Sequence, residues 1–507
     1  MLDVNRRSFL LGAALGGAAA LGNHRAEAAP RRPNVIYLLA DDLGYGDVQC
    51  LNPNGQIPTP HMDRLAREGL TCTDCHSGSA VCTPTRYGLL TGRYAWRTRL
   101  QNGVLYGGSR PLIAPGRLTV ASMLREQGYH TACFGKWHLG LGWQRKPGTK
   151  GEEPTDIDYT QPFSGGPTAL GFDEFYGIAA ALDMPPFTWL EGDHVVEQPT
   201  ATKKWLREGP AGPTFEAVDV LPTLGERAVS YLEQRAKQPD RPFFCYMPLN
   251  SPHTPIVPTK PWQGKSRLNP YADFVMQTDD TLGQVLAAVD RLGLAENTIV
   301  VFTSDNGCSP SADYPTLLAK GHNPSYHFRG TKADIWDGGH RVPFFLRWPA
   351  QVKPGATTDQ LICLTDLAAT MADLLGAKLP ANAAEDSISL RPLLDGHLDQ
   401  PVRESVVHHS INGSFAIRAG QWKLEFCPGS GGWSDPKPGS PAEKGLPPIQ
   451  LYDMAADVSE RRNLQSEQPE VVKRLTAMVE KQIHDGRSTP GAKQRNDVRV
   501  KFGDGPA

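Results

Sequence analysis

Short apolar runs separated by helical stretches are the feature that most limits what this chain can fold into. Strands that are apolar throughout must be buried on both faces, as in a parallel sheet covered by helices. Helices are predicted between them at residues 119–127, which Thr119 can cap and Gly128 ends, and at 271–292, which have one apolar face. We therefore predict an α/β fold with a large central, mostly parallel sheet sandwiched by helices. The strands are predicted at residues 34–40, 129–134, 243–249, 298–303 and 343–348.

The first 28 residues resemble an export signal. Arg6 and Arg7 precede an apolar run over residues 9–21, and Ala26-Glu27-Ala28 is typical of a cleavage site. The run of 13 residues is shorter than the roughly 20 that a spanning helix needs. We interpret residues 1–28 as a twin-arginine-type signal peptide, with a membrane anchor or a chance basic start as the alternatives. A periplasmic or secreted protein without a stable membrane anchor is expected.

The remaining chain divides by its sequence character near residue 396. Residues 29–395 carry the predicted sheet and are expected to form a catalytic domain. Residues 396–507 are expected to form a smaller C-terminal α+β subdomain, with short strands at 416–426 and 448–452 and a closing helix at 471–484. Residues 142–213 are rich in Gly, Pro and Thr without periodicity, and we predict a loop excursion on one rim of the sheet.

Charge and cysteine content exclude several classes of protein. With 52 Lys and Arg against 54 Asp and Glu, the formal charge of −2 argues against a nucleic-acid-binding protein or one that binds an anionic membrane. The nine cysteines are an odd number, so at least one is unpaired in an exported protein. Cys72 and Cys75 lack the second pair of a zinc ribbon, which leaves a local disulfide or two buried thiols.

Polar side chains follow four of the predicted strands, where a parallel sheet binds its ligands. A lone Asp or His at such a place is usually a turn former or a helix cap. Four such clusters are better explained by one shared functional site. They are Asp41 with Asp42, Lys136 with His138, Asn250 with His253, and Asp305 with Asn306.

The acidic strand ends offer only oxygen atoms. Carboxylates and an amide carbonyl suit a hard divalent cation such as Ca²⁺ or Mg²⁺ rather than zinc. A dication would also relieve the mutual repulsion of the carboxylates. If Arg86, Lys136 and Lys332 lie nearby, the site would favour an anionic substrate.

Cys82 precedes a predicted short helix. Pro84 is well placed in its first turn, so Cys82 lies at the helix N-terminus, where free N–H groups favour an anion. A buried thiol ahead of a capped helix is the alternative, and the residues alone leave both possibilities open.

The pattern Cys82-x-Pro84-x-Arg86 followed by the sequence LLTGR resembles the signature of the type I sulfatases, within the alkaline phosphatase superfamily. Further segments resemble that family in the same order along the chain, over about residues 33–350. One departure is Asp337, where relatives usually have Glu, which puts a supporting contact in question. The matching segments are residues 39–47 (LADDLGYGD), 135–140 (GKWHLG), 251–255 (SPHTP), 304–307 (SDNG) and 330–343, with Tyr452-Asp453 and Asn463-Leu464 near the end.

The resemblance implies a mechanism. Cys82 would be converted to Cα-formylglycine, whose hydrate attacks sulfur to form a covalent sulfo-enzyme and then expels sulfate through its second hydroxyl. Arg86 would orient the formylglycine, Lys136 would contact it and the sulfate, and His138 would be the base that releases sulfate. His253 and Lys332 would hold sulfate and protonate the departing alcohol. The resemblance assigns the metal, Ca²⁺ ahead of Mg²⁺, to Asp41, Asp42, Asp305, Asn306 and residue 82.

The predicted activity is that of a sulfuric ester hydrolase of arylsulfatase type, acting on a sulfated carbohydrate or an aryl sulfate. The alternatives are a phosphomonoester or phosphonate monoester hydrolase of the same superfamily and a catalytically silent binder of sulfated glycans. Maturation would need a formylglycine-generating enzyme and the twin-arginine export machinery as partners.

Weaker candidates remain outside this set. His61, His76 and His130 are interpreted as packing or capping residues. A substrate contact is possible for three histidines around Lys332, and a sugar subsite for three residues of the 142–213 excursion. These are His322, His327 and His340, and Asp183, Phe187 and Trp189.

Overall fold

The computed structural model describes residues 32–502, of which residues 33–502 form one compact unit. The predicted signal peptide lies outside the described residues. Within residues 32–502, no helix combines the length and the apolar character needed to cross a membrane.

The described residues contain eighteen strands and ten α-helices. The strands are β1 Asn34–Asp41, β2 Leu70–Cys72, β3 Cys75–His76, β4 His130–Lys136, β5 Glu174–Ile178, β6 Leu190–Glu191, β7 His194–Val195, β8 Ala201–Trp205, β9 Arg207–Ala211, β10 Phe243–Pro252, β11 Thr298–Ser304, β12 Phe344–Arg347, β13 Ala356–Thr358, β14 Ile362–Cys363, β15 Ser405–His409, β16 Phe415–Ala419, β17 Trp422–Glu425 and β18 Gln450–Asp453. The helices are α1 Pro60–Glu68, α2 Cys82–Thr91, α3 Val120–Glu126, α4 Val220–Ala236, α5 Pro270–Arg291, α6 Tyr314–Ala319, α7 Asp337–His340, α8 Leu367–Leu375, α9 Arg391–Leu394 and α10 Pro469–Asp485.

The large sheet has ten strands in the order β13-β2-β12-β11-β1-β10-β4-β5-β6-β7. Its centre is parallel, because β1 pairs in parallel with both β10 and β11, and β4 pairs in parallel with β10 and β5. The predicted fifth strand at 343–348 is present as β12, but it runs antiparallel to β11. The prediction of a mostly parallel sheet in an α/β fold is confirmed.

Alternate residues of the central strands face two separate hydrophobic cores. In β1, Val35, Tyr37 and Leu39 join the core that contains residues of α2, α3 and α8. Ile36 and Leu38 join the opposite core, with residues of α1, α4 and α5. The sheet is therefore covered by helices on both faces, which is why these strands are apolar along their whole length.

The prediction of an irregular excursion over residues 142–213 is wrong in part. Five strands, β5 to β9, lie in this range, and β5 to β7 extend the large sheet beyond β4. The segment β8 alternates exposed and half-buried residues, and β5 has only five residues, so neither presents the long apolar run that identifies a buried strand.

The C-terminal part forms its own four-stranded antiparallel sheet in the order β15-β16-β17-β18, with α10 packed on it through Leu475 and Val479. The predicted strand at 416–426 is a hairpin that turns at Gly420, whose φ is +57°. The strand β15 was not predicted. We retain the division near residue 396 as a proposal, since β14 is the last strand before it and the small sheet begins after it.

Candidate active site

The register of the central strands gathers the acidic residues. Ala40 of β1 is paired with Ser304 of β11, and the N–H of Asp305 donates to the carbonyl of Ala40 at 3.0 Å. The residues that follow each strand therefore lie side by side. The backbone of Asp42 has φ of +65°, an uncommon conformation for a non-glycine residue that often marks a functional site.

The oxygen atoms gathered there fit a hard cation. Asp41, Asp42, Asp305 and Asn306 are all buried. The Asn306 amide donates through Nδ2 to Asp42 Oδ1 at 2.7 Å. Its Oδ1 is therefore left available as a ligand for a cation. Both Asn306 Oδ1 and Asp41 Oδ1 are buried, and neither has a hydrogen-bond partner within the described part of the chain. Ligand atoms of Asp41, Asp42, Cys82 and His253 lie within 4.8 Å of one another. Of the residues gathered here, the oxygen atoms of Asp41, Asp42, Asp305 and Asn306 are the ligands that suit Ca²⁺ or Mg²⁺.

Three buried cations alternate with these carboxylates. Lys136 Nζ lies 2.5 Å from Asp41 Oδ2, Arg86 Nη2 lies 2.7 Å from Asp305 Oδ2, and Lys332 Nζ lies 2.6 Å from Asp42 Oδ1. Burial acts to raise the pKa of Asp41, but Lys136, His253 and Arg86 outweigh it and hold that pKa well below its usual range. Burial, and then the charge of Asp41, raise the pKa of Asp305 to about 7. Carboxylate crowding of this kind is relieved by a divalent cation.

Cys82 is the first residue of α2 and is almost completely buried. Its Sγ accepts from Lys332 Nζ at 3.6 Å. Arg86, one turn further along α2, donates from Nη1 to the carbonyl of Lys136 at 3.0 Å, which holds the helix against the end of β4. Burial raises the pKa of the Cys82 thiol to about 11, so an unmodified thiol would be neutral at pH 7 and a weak nucleophile.

His138 has one ring nitrogen free to act as a base. Its Nε2 lies 2.7 Å from the carbonyl oxygen of Leu105, which can only accept, so Nε2 carries the proton. Its Nδ1 is buried, and no described residue forms a hydrogen bond with it. Burial, and then the charges of Lys136 and Arg86, hold the pKa of His138 well below its usual value, so the ring is neutral and Nδ1 presents a lone pair.

His253 presents its other edge to the carboxylates. Its Nδ1 donates to the carbonyl oxygen of Thr254 at 2.6 Å, and its Nε2 lies 3.6 Å from Asp42 Oδ2. Burial, and then Lys332, lower its pKa. Asn250, near the end of β10, is buried, and neither polar atom of its side chain has a hydrogen-bond partner among residues 32–502. Sequence reasoning grouped Asn250 with His253 at the end of a strand but gave it no role; its position three residues before His253 was the available signal.

Four of the weaker histidine candidates, His322, His61, His340 and His76, contact other side chains of the fold. His322 Nε2 lies 2.8 Å from Asp47 Oδ1, and His61 packs against Gly283 of α5. His340 is buried with its ring stacked on His408, 3.9 Å between centroids, and its Nδ1 lies 3.0 Å from His76 Nδ1. A cation does not fit this histidine cluster, because the Lys423 ammonium lies 3.2 Å from His340 Nε2.

Asp337 and the excursion residues also have clear surroundings. Asp337 Oδ1 lies 2.9 Å from Lys423 Nζ, and Oδ2 lies 3.2 Å from Arg341 Nη1. Asp337, whose side chain is shorter than the Glu usual in relatives, therefore still forms buried ion pairs. Phe187 is buried against Trp205, and Trp189 stacks on Tyr176, so neither lines an open subsite. Asp183 pairs with Arg207 near the surface.

The fold and the site together define a hydrolase of anionic esters. A nucleophile position at a helix N-terminus, an oxygen-rich cation site and three buried cations converge at the carboxyl ends of parallel strands. This is the arrangement that stabilises charge building up on a transferred oxyanion.

Comparison with known proteins gives the family. The sulfatase family model matches residues 33–377, and a model of the C-terminal region of N-sulphoglucosamine sulphohydrolase matches residues 331–427. The chain therefore belongs to the sulfatase family and is a sulfate ester hydrolase.

Several relatives cover most of the chain. It is 34% identical to an N-acetylgalactosamine-6-O-sulfatase of Bacteroides thetaiotaomicron over 89% of this chain and 93% of the relative. It is 33% identical to arylsulfatase A of Homo sapiens, over 90% and 86% of the two chains. A solved structure from work on the metabolism of multiple glycosaminoglycans by Bacteroides thetaiotaomicron superposes with a TM-score of 0.77 at 32% identity, covering 89% of this chain and 99% of that one.

Proposed function

We propose that this sulfatase is exported, removes sulfate from a sulfated saccharide, and depends on formylglycine at position 82 and on Ca²⁺. The observation that carries the proposal is the position of Cys82 Sγ. It lies within 4.8 Å of atoms of Asp41, Asp42 and His253 that could bind a metal ion, and 3.6 Å from Lys332 Nζ. The names of the relatives support a saccharide, and residues 1–28 support a periplasmic or secreted location.

Two groups would complete the site. As a formylglycine hydrate, residue 82 would supply one hydroxyl to attack sulfur and a second to release sulfate, which a plain thiol lacks. A bound Ca²⁺ would neutralise the sulfate oxygens and favour ionisation of that hydroxyl. Asp41, Asp42, Asp305 and Asn306 would hold the ion, and the unpaired oxygens of Asp41 and Asn306 favour this assignment.

The protein's own side chains then have separate tasks. Arg86 holds α2 against β4 and orients residue 82. Lys136 and Lys332 bring positive charge to the sulfate, and both are anchored on carboxylates at 2.5 and 2.6 Å. His138 accepts a proton at Nδ1 when sulfate is released. Lys332, whose ammonium carries a proton, and His253, which can donate from Nε2 only as the imidazolium, would hold sulfate and protonate the departing alcohol.

Peptide mass spectrometry and turnover assays on the same purified protein test the proposal. We expect the peptide that contains residue 82 to carry an aldehyde, and 4-nitrophenyl sulfate to be hydrolysed far faster than 4-nitrophenyl phosphate. Cys82→Ala is expected to be inactive, and Cys50→Ala, at an exposed thiol, is the matched control. Fractionation of the same cells tests export.

Each alternative has its own outcome. Full activity with an intact thiol at position 82 would overturn the formylglycine proposal. Faster turnover of the phosphate would identify a phosphomonoesterase. A thiol together with binding of sulfated glycan and no turnover would identify a silent binder.

A further inference from the structure

Two exposed aromatic side chains lie on the edge of the active site. Tyr106 and Trp433 are among the few large hydrophobic residues of the described chain that remain exposed, at 52% and 41%. Large apolar surface left open beside a catalytic pocket commonly binds ligand.

Tyr106 is held next to the reacting groups. The preceding residue, Leu105, donates its N–H to Thr83 Oγ1 at 3.2 Å and accepts from His138 Nε2 at 2.7 Å. Thr83 adjoins Cys82 in α2. The position of Tyr106 relative to the catalytic helix and the base is therefore set by its immediate neighbour.

Trp433 is held next to Lys332. Its backbone N–H donates to Asp334 Oδ1 at 2.7 Å, and Asp334 also accepts from the N–H of Thr331 at 2.8 Å. One side chain thus ties the Trp433 loop to the turn that carries Lys332. This loop comes from the C-terminal part of the chain.

The two aromatics belong to one continuous edge. The backbone of Ile411 accepts from the N–H of Gly103 at 2.7 Å and donates to the carbonyl of Ala333 at 3.0 Å. Gly103 is three residues before Tyr106, and Ala333 directly follows Lys332. This edge therefore joins the segment beside the Cys82 helix to the segment that carries Lys332.

A cation stands beside Tyr106. The guanidinium of Arg207 lies over the Tyr106 ring, 5.5 Å from its centroid. Its Nη1 donates to the carbonyl of Asp183 at 3.3 Å and to the Asp183 carboxylate. Arg207 is 45% exposed, and among residues 32–502 its Nε and Nη2 have no other acceptor, so they are available to an anion.

We propose that Tyr106, Arg207 and Trp433 form a saccharide-binding rim, in which the aromatic rings pack against sugar and Arg207 binds a carboxylate or sulfate on the sugar next to the one that is desulfated. The substrate is then an acidic saccharide of at least two rings. This inference rests on the proposed sulfatase function and extends it. The near-neutral charge of the chain agrees with a single anion site rather than a long basic groove.

The experiment compares kcat/KM for four substrates. Three are disaccharides with the same sulfated sugar, whose neighbouring sugar is a uronic acid, a second sulfated sugar or a neutral hexose. The fourth is 4-nitrophenyl sulfate, which is too small to span the rim. We expect the wild type to prefer the acidic disaccharides over the neutral one by about tenfold or more, as for a hydrogen bond to a charged group.

The variants separate the parts of the rim. Arg207→Gln is expected to erase the preference for acidic disaccharides. Trp433→Ala and Tyr106→Ala are expected to lower kcat/KM for every disaccharide, relative to the aryl sulfate, by about 10- to 30-fold. Matched controls are Leu446→Ala, another exposed apolar residue of the C-terminal part, and Lys203→Ala, which pairs with Glu216 at 2.7 Å on the same hairpin as Arg207.

The outcomes distinguish this inference from the proposed function. If the wild type hydrolyses no sulfate ester, the proposed function fails. If it is active but the ratio of disaccharide to aryl sulfate turnover stays within threefold in all three variants, or if the neutral disaccharide is equally good, the rim is refuted. Rates are normalised to the formylglycine content of each variant, and the Tyr106 and Arg207 variants test the rim even if Trp433→Ala does not fold.

Discussion

Replacing Lys423 with Met tests how the C-terminal sheet is joined to the segment that follows Lys332. Lys423 Nζ lies 2.5 Å from Glu460 Oε1, 2.9 Å from Asp337 Oδ1 and 3.1 Å from Glu425 Oε1, and none of these side chains is exposed. At an effective dielectric constant of about 20, each pair at such a distance attracts by about 5–7 kcal/mol, against which the cost of desolvation acts. Removing one partner of a buried ion pair costs about 3–5 kcal/mol in the free energy of unfolding, and we expect Lys423→Met to fall in that range.

Urea unfolding of the two proteins at pH 8 measures this loss. The matched control is Arg462→Met, because Arg462 pairs with Glu467 at 2.8 Å on the exposed surface and its loss should cost less than about 1 kcal/mol. The comparison is repeated at pH 5.5. In the variant, the buried carboxylates take up protons more readily than in the unfolded chain, so their pKa values are raised in the folded state. Stability linked to a raised carboxyl pKa is lost as pH rises, so the loss should be larger at pH 8 than at pH 5.5.

Two results would refute this reasoning. One is a loss below about 1 kcal/mol at pH 8, which would mean that the three carboxylates do not need the ammonium. The other is a loss that grows as pH falls, which would mean that the buried charges are not its cause.

Two further predictions concern the cation and the acid limit of stability. Adding CaCl2 to chelator-treated protein should raise the Tm, since a ligand at about 100 times its Kd stabilises the folded state by about 2.7 kcal/mol. Asn306→Ala should lose this increase in Tm, and the control Asn412→Ala should keep it. Equal increases in Tm for the two variants in scanning fluorimetry would contradict the site. Burial lowers the pKa of His409 to about 4, against about 6.5 in an unfolded chain. The unfolded state therefore binds the proton first as pH falls, and roughly 2–3 kcal/mol of stability should be lost between pH 6.5 and 4.5. His409→Gln should not show this part of the loss in urea unfolding at the two pH values, and an identical loss would contradict the assignment.

The central strands and the residues that end them were predictable because both signals are local. An apolar run such as that of β1 is visible in seven consecutive residues, and Asp41 and Asp42 follow it directly. The rule that ligands bind at the carboxyl ends of parallel strands predicted one shared site for Asp41 and Asp305, but it did not predict that β1 pairs with β11. The sulfatase resemblance then supplied expected roles for Cys82 and Lys332.

The parts that could not be predicted depend on contacts between distant residues. Strand β5 is short and is stabilised by its pairing with β4, and no local sequence pattern predicts that pairing. The proton position on His138 depends on the carbonyl of Leu105, and the surroundings of Asp337 depend on Lys423, 86 residues away. In the sequence, Trp433 has no feature that distinguishes it from other loop residues. Its proximity to Lys332 depends on the hydrogen bond from its backbone N–H to Asp334 Oδ1.

The residues that enclose position 82 include strand β15, which the ribosome translates much later than Cys82. The N–H of Ala80 donates to the carbonyl of His409 at 3.0 Å, and Cys82 is nearly inaccessible once this contact exists. About 330 residues separate Cys82 from His409, so at about 5–20 residues per second translation needs roughly 15–65 seconds to supply that strand. During this interval the emerging chain cannot complete the enclosure, which would give the proposed modifying enzyme a window of time to reach the side chain.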